Sequence, residues 1–133
     1  AQGLLDQDAD VLFPVGGPIY KSAAEAIRES GRDVALIGVD TDLFEADPSV
    51  SDLVLTSVMK GITPATREVV LESAAGEFDS SAYVGTLEND GVAIAPFHDL
   101  ADRVAPELQS ELDELAAAII DGSLVVRSPS AFN

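Results

Sequence analysis

The sequence predicts an α/β domain, with a parallel sheet flanked by helices and followed by a β-hairpin. Short continuous apolar runs alternate along the chain with segments whose apolar residues recur at helical spacing. Apolar runs without polar alternation are typical of strands covered on both faces, and strands that alternate with helices form parallel sheets. Two later β-like runs are joined by "NDG" at residues 89–91, which is typical of a hairpin turn.

The first half of the chain predicts three strands and one helix. Residues 9–15 form the first apolar run, which the turn "GGP" closes. Residues 23–31 predict a helix that ends at a glycine. Residues 33–39 and 52–58 are two further apolar runs, and each predicts a buried strand. This order is that of consecutive parallel strands with helical or loop crossovers.

The second half predicts two more helices and the hairpin. We expect a helix over residues 63–77, with Thr63 as its N-cap and Pro64 at its first position. The other predicted segments are the hairpin over 82–97, a helix over 105–122 that Gly122 closes, a final strand over 123–126 and a tail over 127–133.

Charge is the unusual property of this composition. The 24 acidic residues against 7 Lys and Arg give a formal net charge of −17. Such a surface repels phosphate backbones, so no nucleic-acid partner is expected, and nucleotides are poorer ligand candidates than neutral molecules. The absence of cysteine excludes disulfides, zinc–thiolate sites and thiol catalysis. No segment approaches the roughly 18 apolar residues that a membrane span needs.

The candidate ligand contacts follow the ends of the three predicted strands. In open parallel sheets, ligands bind beyond the carboxyl ends of the strands. Gly16 and Gly17 follow the first strand and lead into a helix, whose amino end can offer N–H groups to a ligand. Asp40 ends the second run, where its carboxylate can bind a sugar diol or cap the next turn. Lys60 ends the third; it can donate to a ligand oxygen, balance Asp40 or extend into solvent.

Other chemistry has less support in the sequence. Asp42 is expected to be a helix cap, and "DTD" lacks the glycine-containing loop of an EF-hand, so no metal is expected. Ser57 and His98 could outline a hydrolase pair, but no GxSxG motif is present. Tyr20 and Phe44 are the plausible stacking platforms for a ligand. We therefore expect no catalytic residue and no cofactor.

Five stretches of the sequence carry a family resemblance when they are taken together. They are "ADVLFPVGGP", "IGVDTD", "LTSVMKGI", "YVGTLENDGVAIAPF" and "IIDGSLVV", in an order and spacing that cover nearly all of the chain. In that arrangement the chain resembles the C-terminal portion of the BMP family, the basic membrane protein type of substrate-binding lipoproteins for ABC transporters. The family includes purine-nucleoside receptors. Its members resemble type I periplasmic binding proteins, in which two α/β lobes clamp the ligand.

The resemblance implies a domain organisation and partners. Residues 1–58 would supply βαβ elements of the ligand-binding lobe, and residues 59–133 a crossover helix, the hairpin and the C-terminal helix and strand. The partners implied are an N-terminal lobe of the same protein, an ABC permease and a small-molecule ligand, a nucleoside. The protein would be extracytoplasmic and anchored to the cell membrane by lipid, with the signal and the anchor outside this chain.

The resemblance also implies ligand contacts at Gly16, Gly17, Asp40 and Lys60, with Asp40 holding the ribose hydroxyls. Family members commonly have a glycine-rich turn like "AGGTG", whereas this chain has "VGGPIY". Pro18 in that turn lacks an N–H donor. The alternative function is therefore a sensor or adhesion module with the same fold and an altered pocket.

Overall fold

The computed structural model describes residues 1–127 and confirms an α/β fold in which helices flank a mainly parallel sheet. None of the helices in that range is long and apolar enough to cross a membrane. The strands are β1 (Val11–Leu12), β2 (Ala35–Asp40), β3 (Val54–Lys60) and β4 (Val92–Ile94). The helices are α1 (Gln2–Leu5), α2 (Ile19–Ser30), α3 (Leu43–Ala46), α4 (Ile62–Ala75) and α5 (Leu108–Ile120), with 3-10 helices at Ser51–Leu53 and His98–Arg103.

The four strands form one sheet in the order β1-β2-β3-β4. β1 pairs with β2 and β2 with β3, both in parallel, whereas β4 pairs with β3 in the antiparallel direction. The three strands predicted in the first half of the chain are therefore confirmed, although β1 is only two residues long. Because β1, β2 and β3 run the same way, the turns after all three lie at one edge of the sheet. This carboxyl edge positions the candidate site.

The hydrophobic core lies between the sheet and the first two helices. Leu12, Leu36 and Val54 are neighbours in register on successive strands, and all are buried with Ile27 of α2. Burial of each such side chain contributes about 1.5–3 kcal/mol. The predicted helix of this region is confirmed, although it begins earlier than expected, and Gly31 ends it in the left-handed conformation. The core thus fixes β1, β2, β3 and α2 relative to one another.

The start of α4 differs from the prediction. Thr63 is not the N-cap; Gly61 is, because β3 continues through Lys60 and the helix follows at Ile62. Pro64 is consequently the third helical residue instead of the first. Proline is tolerated there because the N–H groups of the first turn have no partner within the helix.

The predicted hairpin over 82–97 is wrong in its pairing. Its second half contains β4, but β4 pairs with β3, and residues 82–87 form no strand. Asn89 accounts for the difference. Its Oδ1 accepts hydrogen bonds from the backbone N–H groups of Thr86, at 2.8 Å, and Gly91, at 3.0 Å. The side chain thereby builds a compact turn in place of a strand ladder.

The segment after α5 also differs from the prediction. Residues 123–126 form no strand. The N–H of Leu124 donates to the carbonyl of Ala118 at 2.8 Å, and the N–H of Ser123 donates to Asp121 Oδ1 at 2.8 Å. These bonds turn the chain back on the end of the helix. Of the predicted tail, residues 128–133 lie outside the described part of the chain.

Candidate functional site

Asp40 and Lys60 form an ion pair at the carboxyl edge of the sheet. They are the last residues of β2 and β3, and Lys60 Nζ lies 2.7 Å from Asp40 Oδ1. Their side chains are 44% and 65% exposed. An exposed pair of this kind contributes only about 0–1 kcal/mol to stability. Lys60 therefore balances Asp40, and both polar groups are accessible to a molecule that approaches this edge.

Asp40 is held in an unusual backbone conformation, and its carboxylate is paired with Lys60. Its φ of +74° lies in the left-handed region, which few residues other than glycine adopt. Its Oδ1 is shielded from water and lies 2.7 Å from the ammonium of Lys60, and no other group among residues 1–127 donates a hydrogen bond to it. Asp40 does not cap a helix, so its carboxylate can accept a hydrogen bond from a ligand.

The loop after Asp40 folds back onto the sheet. Asp42 Oδ1 accepts the N–H of Phe44 at 3.2 Å, which confirms Asp42 as the cap of α3. The N–H of Leu43 donates to Ser57 Oγ at 3.0 Å. Gly38 leaves the space for this fold, since a Cβ there would lie 2.6 Å from Leu43 Cβ. The sharp reversal leaves Asp40 at the tip of the strand.

His98 also contacts this loop, and the sequence did not predict that contact. Its Nε2 lies 2.8 Å from Asp42 Oδ2, and its ring stacks on Phe44 with centroids 4.1 Å apart and planes 5° from parallel. Phe44 is therefore occupied within the chain instead of standing free for a ligand. Asp42 and Phe44 are distant from His98 in sequence, so no local spacing could have predicted the contact.

The second proposed stacking residue, Tyr20, is also engaged within the chain. Its hydroxyl donates to Asp47 Oδ2 at 2.9 Å, which ties α2 to the end of α3. The hydrogen bonds from Ser49 and then from Tyr20 lower the pKa of Asp47 to about 2. The same bond to the Asp47 carboxylate raises the pKa of Tyr20. The Tyr20 hydroxyl thus fixes the C-terminal end of α3 to α2.

Gly16 and Gly17 lie between β1 and α2, at the same edge of the sheet as Asp40. Their φ values of +148° and +55° explain why glycine occupies both positions. Pro18 is the N-cap of α2. Within residues 1–127, neither glycine is hydrogen-bonded to Asp40 or Lys60. The structure thus joins two of the four predicted residues and places the glycines on the same edge; their role as ligand contacts stays a prediction.

The structure also gives the positions of the residues considered for other chemistry. Ser57 is fully buried and accepts a backbone N–H, and His98 bonds to Asp42 instead of to Ser57. Ser57 and His98, which could outline a hydrolase pair from the sequence, are therefore not bonded to each other. Among residues 1–127, no three His, Asp or Glu side chains are grouped as metal ligands are.

The fold is similar to those of several solved proteins. An ABC transporter solute-binding protein from Conexibacter woesei matches over 95% of this chain with a TM-score of 0.72 and 25% identity. One from Aeropyrum pernix matches over 98% of the chain, with a TM-score of 0.78 and 17% identity. Both of these neighbours are described as solute-binding proteins of ABC transporters. A protein from Bacillus halodurans described as a transcriptional activator of the comK gene matches over 95% of the chain, with a TM-score of 0.74 and 20% identity.

These similarities extend to the fold and to part of each neighbour. The chain spans 40%, 43% and 42% of the three solved chains, in the order given above. No protein-family model and no curated protein sequence matches the chain. The comparisons therefore indicate solute-binding proteins in general, and the narrower resemblance to the BMP family belongs to the proposal that follows.

Proposed function

We propose that this chain is part of a solute-binding protein of the BMP type, which captures a nucleoside between two lobes and delivers it to an ABC permease. The similarity to the solute-binding proteins from Conexibacter woesei and Aeropyrum pernix supports a binding role. The observation that carries the proposal is Asp40, whose carboxylate stands at the tip of a central strand, 44% exposed and paired with Lys60 at 2.7 Å.

The chemistry of Asp40 and Lys60 favours a ligand with neighbouring hydroxyls. A carboxylate can accept one hydrogen bond from each hydroxyl of a ribose diol, and a bond to a charged group contributes about 1.5–3 kcal/mol. Lys60, next to it, can donate to a further ligand oxygen. The net charge of −17 opposes an additional phosphate, so a nucleoside fits better than a nucleotide.

The rest of the proposed protein would complete the site. The solved neighbours are more than twice as long as the matched region, which leaves room for a second lobe that closes over the carboxyl edge. On this proposal the protein is extracytoplasmic and lipid-anchored. The sequence that the gene encodes before Ala1 tests this: a lipobox followed by an N-terminal α/β lobe is expected, and a gene that encodes neither contradicts it.

Calorimetric titration with adenosine, 2′-deoxyadenosine and adenosine monophosphate tests which ligand is bound. The titration uses the whole protein that the gene encodes, including any second lobe. Removal of one hydroxyl leaves part of the Asp40 carboxylate unpaired. We expect adenosine to bind at least about tenfold more tightly than deoxyadenosine, since 1.4 kcal/mol is a factor of ten. The monophosphate should bind more weakly than adenosine, and the difference in affinity should be larger at low salt.

Asp40→Ala should remove most of the preference for adenosine over deoxyadenosine. Asp8→Ala is the matched control, because Asp8 is also an aspartate in an ion pair, 2.7 Å from Arg32, and both residues precede their strands, opposite the carboxyl edge. The control should keep the preference. Equal affinity of the unmodified protein for all three compounds contradicts the proposed role of Asp40.

A sensor or adhesion module is the second candidate. The Bacillus halodurans protein, described as a transcriptional activator, shares the fold, so the fold alone does not imply transport. Pro18, which caps α2 without an N–H, is the feature of this chain that favours an altered pocket. A melting temperature that no nucleoside raises would favour this candidate.

A further inference from the structure

The position of Asp40 depends on a loop that is fixed at its other end. Only Thr41 separates Asp40 from Asp42, and Asp42 is the cap of α3. Leu43, the next residue, is held by the hydrogen bond to Ser57 and packs over Gly38. What holds Asp42 therefore also restricts Asp40.

The two oxygens of Asp42 have different partners. Oδ1 accepts the N–H of Phe44, which belongs to the same loop. Oδ2 contacts Nε2 of His98, which is 56 residues away and belongs to the 3-10 helix after β4. Only the second contact ties the loop to another part of the fold, and it is well shielded, since the side chains of His98 and Asp42 are 15% and 18% exposed.

The ring of His98 is restrained in two directions at once. The contact with Asp42 limits movement of the ring within its own plane. The stack on Phe44 limits tilting of the ring out of that plane. His98 itself has a φ of +44°, so its backbone adopts the left-handed conformation to reach this position. Residues in disfavoured backbone conformations persist only where the surrounding contacts determine them, and they concentrate at functional sites.

We propose that His98 is a positioning residue for the candidate ligand site, and that it keeps the Asp40 carboxylate beside Lys60 by holding Asp42 and Phe44. The expected effect of His98 on ligand binding rests on the proposed function. Without the ring, Asp42 keeps its local bond to Phe44 but loses its tie to the 3-10 helix. Asp40 can then relax from its left-handed conformation towards the extended region that β2 already occupies, which moves its carboxylate away from Lys60.

Two variants of His98 and one control separate positioning from general stability. His98→Phe keeps a flat ring for Phe44 but removes the nitrogen that contacts Asp42. His98→Gln keeps a donor for Asp42 but removes the stacked ring. Tyr20→Phe is the control, because it removes the bond to Asp47 at the opposite end of α3.

The measurement is NMR of the labelled full chain, followed by titration with adenosine. In His98→Phe and His98→Gln, we expect the carboxyl carbon and amide resonances of Asp40 and the side-chain resonances of Lys60 to move. In Tyr20→Phe they should stay in place. Adenosine affinity should fall about tenfold in His98→Phe at a temperature where the variant is fully folded, and change little in Tyr20→Phe.

The outcomes distinguish this inference from the proposed function. Resonances of Asp40 and Lys60 that are unchanged in whichever His98 variants fold overturn the positioning role, whatever adenosine does. Loss of adenosine binding in Asp40→Ala but not in a folded His98 variant also overturns it, while the proposed function stands. If the resonances move but the unmodified protein binds no adenosine, the positioning role stands and the nucleoside proposal fails.

Discussion

Residues 1–60 and residues 61–127 bury their apolar side chains to very different extents. With the exception of Ala95, the buried hydrophobic residues of the described chain lie at or before Val54. The helix α2 buries Ala23, Ala24 and Ile27. The helices α4 and α5, of similar length, have no buried residue.

The difference lies in where the apolar residues sit and in what surrounds them. Val69, Val70 and Leu71 of α4 are consecutive, so they point in different directions around the helix and are all exposed. On the sheet, Val92 and Ile94 of β4 are also exposed. The first half thus contains nearly all of the buried core of the described chain. The second half presents exposed apolar surface, which the proposed function would cover with the rest of a longer protein.

The largest effect should follow from a cavity in the first half. Leu36 is fully buried, so Leu36→Ala should lower the free energy of unfolding by about 2–5 kcal/mol. Leu71→Ala makes the same chemical change on the exposed face of α4 and should alter it by less than about 0.5 kcal/mol. Urea unfolding monitored by circular dichroism gives both values. Similar losses of unfolding free energy in the two variants would contradict this difference in burial between the two halves.

A smaller effect should follow where the two halves meet, at Gly61. The N–H of Gly61 donates to the carbonyl of Gly91 at 2.9 Å, and a Cβ on Gly61 would lie 2.0 Å from the carbonyl oxygen of Asp90. Gly61→Ala forces the 85–91 turn away from the end of β3. Overpacking of this kind costs about 1–3 kcal/mol.

Gly3→Ala is the matched control, because a Cβ there meets nothing within 4 Å. In Gly61→Ala, amide hydrogen exchange should quicken over β4 and the 85–91 turn, while protection in α2 and β2 stays. Quicker exchange throughout the first half would mean that the two halves unfold as one unit.

The contrast between the halves also marks how far the sequence predicts the fold. In residues 1–60, continuous apolar runs and a glycine stop predict three strands and a helix, because the partners that bury them are nearby in the chain. In residues 61–127, Asn89 and Asp121 decide the local structure through side-chain bonds to the backbone. Side chains of this type compete with strand ladders, so apolar patterning alone gives the wrong pairing.

The candidate site likewise has one contact that the sequence could predict and one that it could not. Asp40 and Lys60 could be predicted as neighbours, because both end adjacent parallel strands and such ends share an edge. The contact of His98 with Asp42 and Phe44 could not, because it depends on a 3-10 helix that follows an antiparallel strand. Its position is set by the tertiary fold and not by any spacing in the sequence.

The smallest predicted effect is a pH dependence that only the first half should show. The bonds from Ser49 and Tyr20 lower the pKa of Asp47 to about 2, below the value of about 3.9 in an unfolded chain. A carboxyl group whose pKa is lowered on folding stabilises the fold above the unfolded pKa, and this stabilisation is lost as the pH falls through the folded pKa. Asp47→Asn should therefore lower the urea midpoint by a constant amount above about pH 5, with the difference from the unmodified chain shrinking towards pH 2.

Asp79 in the second half sharpens the test, because it has the same local partners without the distant one. Ser81 donates its hydroxyl and its N–H to Asp79, which lowers the pKa of Asp79 as Ser49 does for Asp47. Asp47 also accepts a bond from Tyr20, 27 residues away, which forms only in the folded chain. A two-residue turn can persist in the unfolded chain, where it shifts the pKa of Asp79 in both states and cancels in the stability. Asp79→Asn should therefore change the urea midpoint little at any pH between 2 and about 5. An equal acid-dependent loss in both variants would show that Ser49, and not the bond between α2 and α3, accounts for the effect at Asp47.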